Sequence, residues 1–220
     1  MAQFTKFYDL SQPVYDHCPG WPTYEPTLVK YEASYDKDCF NAEQIRLNSH
    51  TGTHLDAPFH FYPDGTTIDR LDVSLFQGDA VIVDLRGIIH AKEGIEVSHL
   101  EPYKDRIQQG SIVLFATGWG PKRSMEQEYM YDWPYLTGSA AEWLKAKGIK
   151  GVGIDTMSMG GWYEGTGRPC HEALLSAGIW ILEEINIPDE LTERGNCYLM
   201  AFPIRLQGFS GAPARAVAAV

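Results

Sequence analysis

Three histidines and an aspartate crowd into the run His50-Thr51-Gly52-Thr53-His54-Leu55-Asp56-Ala57-Pro58-Phe59-His60. Neutral imidazole nitrogens and a carboxylate oxygen are donors that Zn2+ or Mn2+ accepts. Three protein ligands leave a coordination position open, the mark of a catalytic site. His50, His54 and Asp56 fit that description. The bland alternative is a loop whose polar side chains bond one another, but such a loop does not need three imidazoles held between Gly52 and Pro58. His60 is either a fourth ligand or a free imidazole, titrating near neutrality and able to move protons beside an ion.

The elements that position these residues can be read from the flanking pattern. Histidines four apart would share a helix face, yet Thr51, Gly52 and Thr53 disfavour a helix, so the stretch is expected to be a shaped loop. Pro58 closes it by fixing its own φ and pushing Ala57 into extended backbone. Two strands are expected over 24–37 and 39–48, the second feeding the histidine loop. The apolar run over 79–85 reads as a central strand covered on both faces, and 111–116 as another. Ser98-x-x-Glu101 has the form of a capping box opening a helix to Gly110, with Pro102 making its start irregular; Ser139-x-x-Glu142 opens a second helix that stops at Gly148. Further strands are expected over 151–155, 179–182 and 198–206, and a short helix over 171–177. Alternation of strands and helices in the second half predicts an α/β layered fold.

Composition narrows the function classes. At 220 residues, 44% hydrophobic and 21% charged, the chain is expected to form one globular domain over 1–220. A net charge of −11, with no basic cluster longer than Lys122-Arg123, argues against nucleic acid. No run approaches the ~18 apolar residues of a membrane span, and residues 1–20 lack a signal-peptide core, so a cytoplasmic protein with no membrane partner is expected. Cys18, Cys39, Cys170 and Cys197 lie far apart without a Cys-x-x-Cys pair, which suits reduced thiols; Cys170 stands next to His171. The glycine-rich stretch 160–167 lacks Gly-x-Gly-x-x-Gly before a helix and implies no nucleotide.

The run from His50 to His60 resembles the His-x-Gly-Thr-His-x-Asp-x-Pro-x-His signature of the cyclase superfamily, which includes bacterial kynurenine formamidases and isatin hydrolases. The similarity extends through Trp21-Pro22, Thr117-Gly118-Trp119, Gly151 to Thr156, His171-Glu172-Ala173-Leu174-Leu175 and the tail Ala212 to Ala216. The resemblance implies an α/β chain of the swivelling β/β/α type with one or two Zn2+ or Mn2+ ions per chain. His50, His54 and Asp56 would take the first ion, with Asp56 able to bridge. His171 and Glu183 would complete a second site, and His60 would be the general acid/base. It also implies a homodimer or larger homo-oligomer. The chain departs from the family pattern at Met157 to Gly160, where a proline and a second acid are lost, and at Ala212.

The resulting expectation is a metal-dependent hydrolase that opens a small aryl amide, with a cyclic amide or lactone as the alternative substrate and a non-catalytic binding protein as the alternative class. Trp21, Phe40, Trp119 and Trp162 are candidates for an aromatic wall that selects a flat small-molecule substrate.

Overall fold

The computed structural model describes residues 4–220, and its largest feature is a sheet that closes on itself. The strands are β1 (Phe7–Asp9), β2 (Leu28–Ala33), β3 (Ala42–Arg46), β4 (His54–Asp56), β5 (Gln77–Asp84), β6 (Gly94–Ile95), β7 (Ile112–Ala116), β8 (Tyr135–Leu136), β9 (Gly151–Ile154), β10 (Trp180–Glu183), β11 (Asn196–Pro203) and β12 (Gly211–Ala219). The helices are α1 (Tyr35–Asp38), α2 (Val97–Leu100), α3 (Gln127–Tyr131), α4 (Gly138–Lys147), α5 (Arg168–Ser176) and α6 (Asp189–Arg194). In space the sheet runs β12-β11-β5-β7-β9-β10-β4 and returns to β12 through the pairing of β4 with its first residues, giving a seven-stranded mixed barrel. β5, β7, β9 and β10 are parallel, whereas β4, β11 and β12 join antiparallel.

Alternation along the strands explains why they read as continuous apolar runs. Val81 and Val83 of β5, with Val113 and Phe115 of β7, pack against Ala140, Leu144 and Leu174 in the helical layer outside the barrel. Ala80, Ile82, Ile112 and Leu114 point the other way, into a second core inside it. Both faces are therefore buried, as expected for parallel strands under helices. On β9 the inward positions are glycines. A Cβ at Gly151 would lie 2.1 Å from the Trp180 ring, so glycine there is what lets that indole fill the barrel.

Several expectations need correction. The strand expected over 24–37 is only β2, and beyond it Tyr35–Asp38 turn into the short helix α1. The helix from Ser98 to Gly110 is only α2 followed by a 3₁₀ turn over Glu101–Tyr103; Glu96 and His99 form the capping box, and Pro102 cannot continue an α-helical hydrogen-bond ladder. The middle of the histidine stretch, His54–Asp56, is not loop but β4, because β10 and β12 flank it and pair with its backbone. Helix α5 begins at Arg168, ahead of His171, with Pro169 in its first turn. α4 forms and ends at Gly148, at φ 69°, as the pattern predicts, but its N-cap is Thr137, whose hydroxyl accepts from the Ala140 amide, so Ser139 lies inside the helix and the expected Ser139-x-x-Glu142 box does not open it. β2 and β3 form a mostly exposed hairpin-like pair apart from the barrel and lead into the histidine loop. Among the described residues all four cysteines are free, and no helix is long and apolar enough to cross a membrane.

Candidate metal centre

The site starts from strand alternation. On β4, Leu55 enters the barrel core, so His54 and Asp56, two residues apart, share the opposite face. The antiparallel register with β10 sets Glu183 directly across from His54 on that face. His54 Nε2 lies 3.4 Å from both Asp56 Oδ1 and Glu183 Oε2. Ahead of β4, Gly52 adopts φ 67°, a left-handed turn that glycine takes without strain, and folds His50 back so that its Nδ1 lies 2.7 Å from Asp56 Oδ1. From α5, His171 Nε2 reaches Glu183 Oε1 at 3.1 Å and Asp56 Oδ2 at 3.7 Å.

Each imidazole is also held from outside the cluster. His54 Nδ1 donates to the Gly52 carbonyl at 2.7 Å and His171 Nδ1 to the Gly167 carbonyl at 2.8 Å, which fixes both tautomers with Nε2 facing inward. His50 is reversed: its Nε2 faces the Ser210 hydroxyl at 2.9 Å and its Nδ1 faces Asp56. Glu183 Oε1 accepts from the Ser158 hydroxyl at 3.1 Å and the Met159 amide at 2.7 Å. The divergent segment over 157–160 thus supports a cluster carboxylate. Ser158, Gly167 and Ser210 carry no pattern that sequence reasoning used; the only cue was proximity of Ser158 and Ser210 to the segments noted as divergent.

The electrostatics call for a cation. Burial opposes charge on both Asp56 and Glu183, yet the surrounding histidines outweigh it, holding Asp56 well below the ordinary carboxylate range and Glu183 at about 2. Burial likewise opposes protonation of His54, but Asp56 and Glu183 raise it well above its ordinary value. His171 is raised against the same burial by Cys170 and Glu183. Two negative charges in a dry pocket therefore draw positive charge onto imidazoles that would otherwise be neutral. His54 Nε2 and Asp56 Oδ2 are buried and have no hydrogen-bond partner, although such atoms are almost always paired. Two ligand groupings meet the distances a single ion needs: His54, Asp56 and Glu183, and His50, Asp56 and His60. They share Asp56. Inward-facing acceptors, orphaned polar atoms and an imidazole and carboxylate donor set fit a divalent ion.

His60 sits on a 3₁₀ turn begun by Pro58, its ring stacked on His50 with centroids 4.1 Å apart. Burial, and then the neighbouring His50 and His171 imidazoles, lower its pKa to about 4 against the pull of Asp56. Its place in the second grouping leaves both sequence-level roles, fourth ligand and free imidazole, within geometric reach.

His50, His60, His171 and Glu183 line a cavity of about 690 Å³ whose walls include Trp21, Tyr24, Phe61, Met157, Trp162 and Tyr163, while His54 and Asp56 are buried outside its lining. Trp21 and Trp162 pack together there, with centroids 5.2 Å apart. The other two aromatic candidates do not line it. Trp119 is 4% exposed, enclosed by Tyr129, Met130, Trp133 and Met157 because the turn after β7 folds it inward. Phe40 is 58% exposed on the turn between α1 and β3, away from the barrel.

The sequence model of the Cyclase family matches residues 8–160, a span that includes the whole run from His50 to His60. The chain belongs to the cyclase family. A kynurenine formamidase from Bacillus cereus is 31% identical over 217 residues, with 97% of each chain covered. The solved structure of a potential metal-dependent hydrolase with cyclase activity superposes with a TM-score of 0.80 at 29% identity, covering 97% of this chain and 96% of that one. Isatin hydrolase A from Ralstonia solanacearum shares the fold, with a TM-score of 0.86 at 24% identity over 98% of this chain and 92% of its own. Within this cyclase-family chain, the buried histidine and carboxylate cluster is the feature fit to hold metal.

Proposed function

We propose that the chain is a metal-dependent hydrolase that cleaves a small aryl amide, with N-formyl-kynurenine as the favoured substrate and kynurenine and formate as products. The observation that carries this reading is the convergence of His50, His54, Asp56, His171 and Glu183 in one cluster, of which His50, His171 and Glu183 line an aromatic-walled cavity. In this reading His50, His54, Asp56, His171 and Glu183 would hold one or two Zn2+ or Mn2+ ions. When bound, such an ion polarises a carbonyl and lowers the pKa of water from about 15.7 towards about 7.

The protein's own part is proton handling and orientation. His60, kept neutral by burial, accepts the proton that water surrenders as it adds to the formyl carbon, and returns it to the nitrogen as the C–N bond breaks. Without that return the arylamine would leave as an anion. Trp21 and Trp162 supply flat apolar surface for the aryl ring. At the cavity rim Arg168 and Glu172 form an ion pair at 2.6 Å, complementary in sign to the carboxylate and ammonium of an amino-acid head group. The same family membership supports reading the barrel and its helices as the swivelling β/β/α arrangement and the chain as one domain.

A panel of N-formyl-kynurenine, isatin, formanilide and a simple lactone, assayed with metal-loaded enzyme, tests the proposal. The highest kcat/KM is expected for N-formyl-kynurenine. A higher value for isatin would move the assignment to cyclic amides, and no turnover of any member would overturn the aryl-amide reading.

A further inference from the structure

The backbone leaves β10 through a residue that is not glycine yet has positive φ: Glu184, at φ 52°. A left-handed residue outside glycine is uncommon and persists where its surroundings hold it. Glu184 is held on every side. Its amide donates to the Thr156 carbonyl at 3.0 Å, its carbonyl accepts from the Thr53 hydroxyl, and its carboxylate takes Arg123 Nε at 2.8 Å and the Tyr129 hydroxyl at 3.2 Å. Thr53 precedes His54, and Glu183 precedes Glu184 itself. The Glu184 main-chain carbonyl thus ties together the two chain segments that meet at the cluster, and its carboxylate fastens that junction to Arg123 and Tyr129.

Arg123 extends this junction to the cavity wall. Its side chain is 5% exposed and that of Glu184 1%, so the pair lies away from water. The guanidinium donates through Nη1 to the Pro13 carbonyl at 3.0 Å and through Nη2 to the Pro19 carbonyl at 3.1 Å. Both carbonyls belong to the irregular N-terminal stretch that delivers Trp21 to the cavity. Val14 in the same stretch lies against Gly52, the hinge of the histidine loop. The planar fork of arginine can bond a carboxylate and two carbonyls at once, and a lysine ammonium cannot reproduce that geometry.

We infer that Arg123, through Glu184, is a positioning residue that registers the Trp21 wall against the floor of the site and so sets how tightly an aromatic substrate is held. A buried arginine paired only for stability would show itself as a general loss of folding. A positioning role predicts a local and substrate-selective loss. The kinetic half of the inference rests on the aryl-amide reading above; its hydrogen-exchange half does not.

The test uses Arg123→Lys and, in case that variant does not fold, Glu184→Gln, which keeps the shape and loses the charge. With N-formyl-kynurenine, KM is expected to rise roughly tenfold while kcat stays within about threefold, the pattern of lost binding common to ground and transition states. Metal content should match that of the parent. Amide hydrogen exchange should quicken over residues 13–22 and stay unchanged in β5 and β7. Unchanged exchange over 13–22 in both variants would overturn the inference, as would exchange that quickens equally throughout the barrel. If the parent enzyme turns over no aryl amide, the proposed substrate falls while selective exchange over 13–22 still supports the positioning role.

Discussion

His50 Nε2 lies 2.9 Å from the hydroxyl of Ser210, a residue 160 positions further along the chain. This contact reverses His50 relative to His54 and His171, which turn Nε2 inward, and presents Nδ1 to Asp56 instead. Gly211 makes room for it: a Cβ there would lie 2.7 Å from His50 Cε1. Ser210 and Gly211, where β12 begins, thereby determine how the His50 ring is aimed at Asp56.

Ser210→Ala is therefore expected to weaken metal binding by roughly 10–100-fold while the fold is kept, the usual effect of removing a hydrogen-bonding partner behind a metal-ligating imidazole. Competition against a chelating dye measures it directly. Parent-like affinity in the variant would show that Ser210 does not orient His50.

His54→Ala and His60→Ala should fail differently. The first removes a buried donor facing both carboxylates and should lose zinc or manganese, measured by elemental analysis, together with activity. The second should keep its metal and lose roughly 10²–10⁴-fold in kcat, the size of a general acid/base contribution. Metal loss in His60→Ala would make His60 a ligand. A chelator should likewise abolish activity of the parent, and re-addition of zinc or manganese should restore it.

The depressed pKa of His60 carries a sign for stability. In metal-free protein the folded-state value of about 4 lies below the ordinary 6.5, so between these pH values the unfolded chain binds a proton that the folded chain refuses. Stability from this group is full above pH 6.5 and falls as pH drops towards 4. His54 and His171, raised in the fold, act in the opposite sense and lose their contribution as pH rises. Urea unfolding of metal-free parent and His60→Gln should show the parent losing more stability than the variant from pH 6.5 to 4.5. Parallel curves would contradict the burial of a neutral His60.

Of the four thiols, Cys39 is exposed, whereas Cys18, Cys170 and Cys197 are buried and burial pushes Cys197 up to about 12. The thiolate is the reactive form. A disulfide reagent added to native protein is expected to react quickly with one equivalent per chain, a signal that Cys39→Ser removes, and with all four after unfolding. Fast reaction of a second thiol in the native protein would show that one of the three buried sites opens readily.

Local chemistry was legible in the sequence wherever neighbours along the chain settle it. The crowding of His50, His54, Asp56 and His60 pointed to a metal-type site, Gly52 to a turn, the apolar run of β5 to a strand covered on both faces and that of β7 to a further strand. The end of α4 at Gly148 was readable for the same reason. Tertiary structure decided what depends on pairing across distance. β4 is a strand because β10 and β12 flank it, and Glu183 meets His54 because of antiparallel register, a relation no local pattern encodes. His171 and Glu183 entered the sequence reading only through family resemblance, since a helix-start histidine and a strand-end glutamate are commonplace by themselves. Trp119 and Phe40 show the converse. Their aromatic character was visible, but whether an indole or phenyl ring turns into a core, into a cavity or into solvent is set by packing, which places Trp119 inside and Phe40 outside. The outer partners Ser158, Gly167 and Ser210 belong to the same class, because a serine hydroxyl or a main-chain carbonyl gains its role from the imidazole or carboxylate that folding brings within about 3 Å.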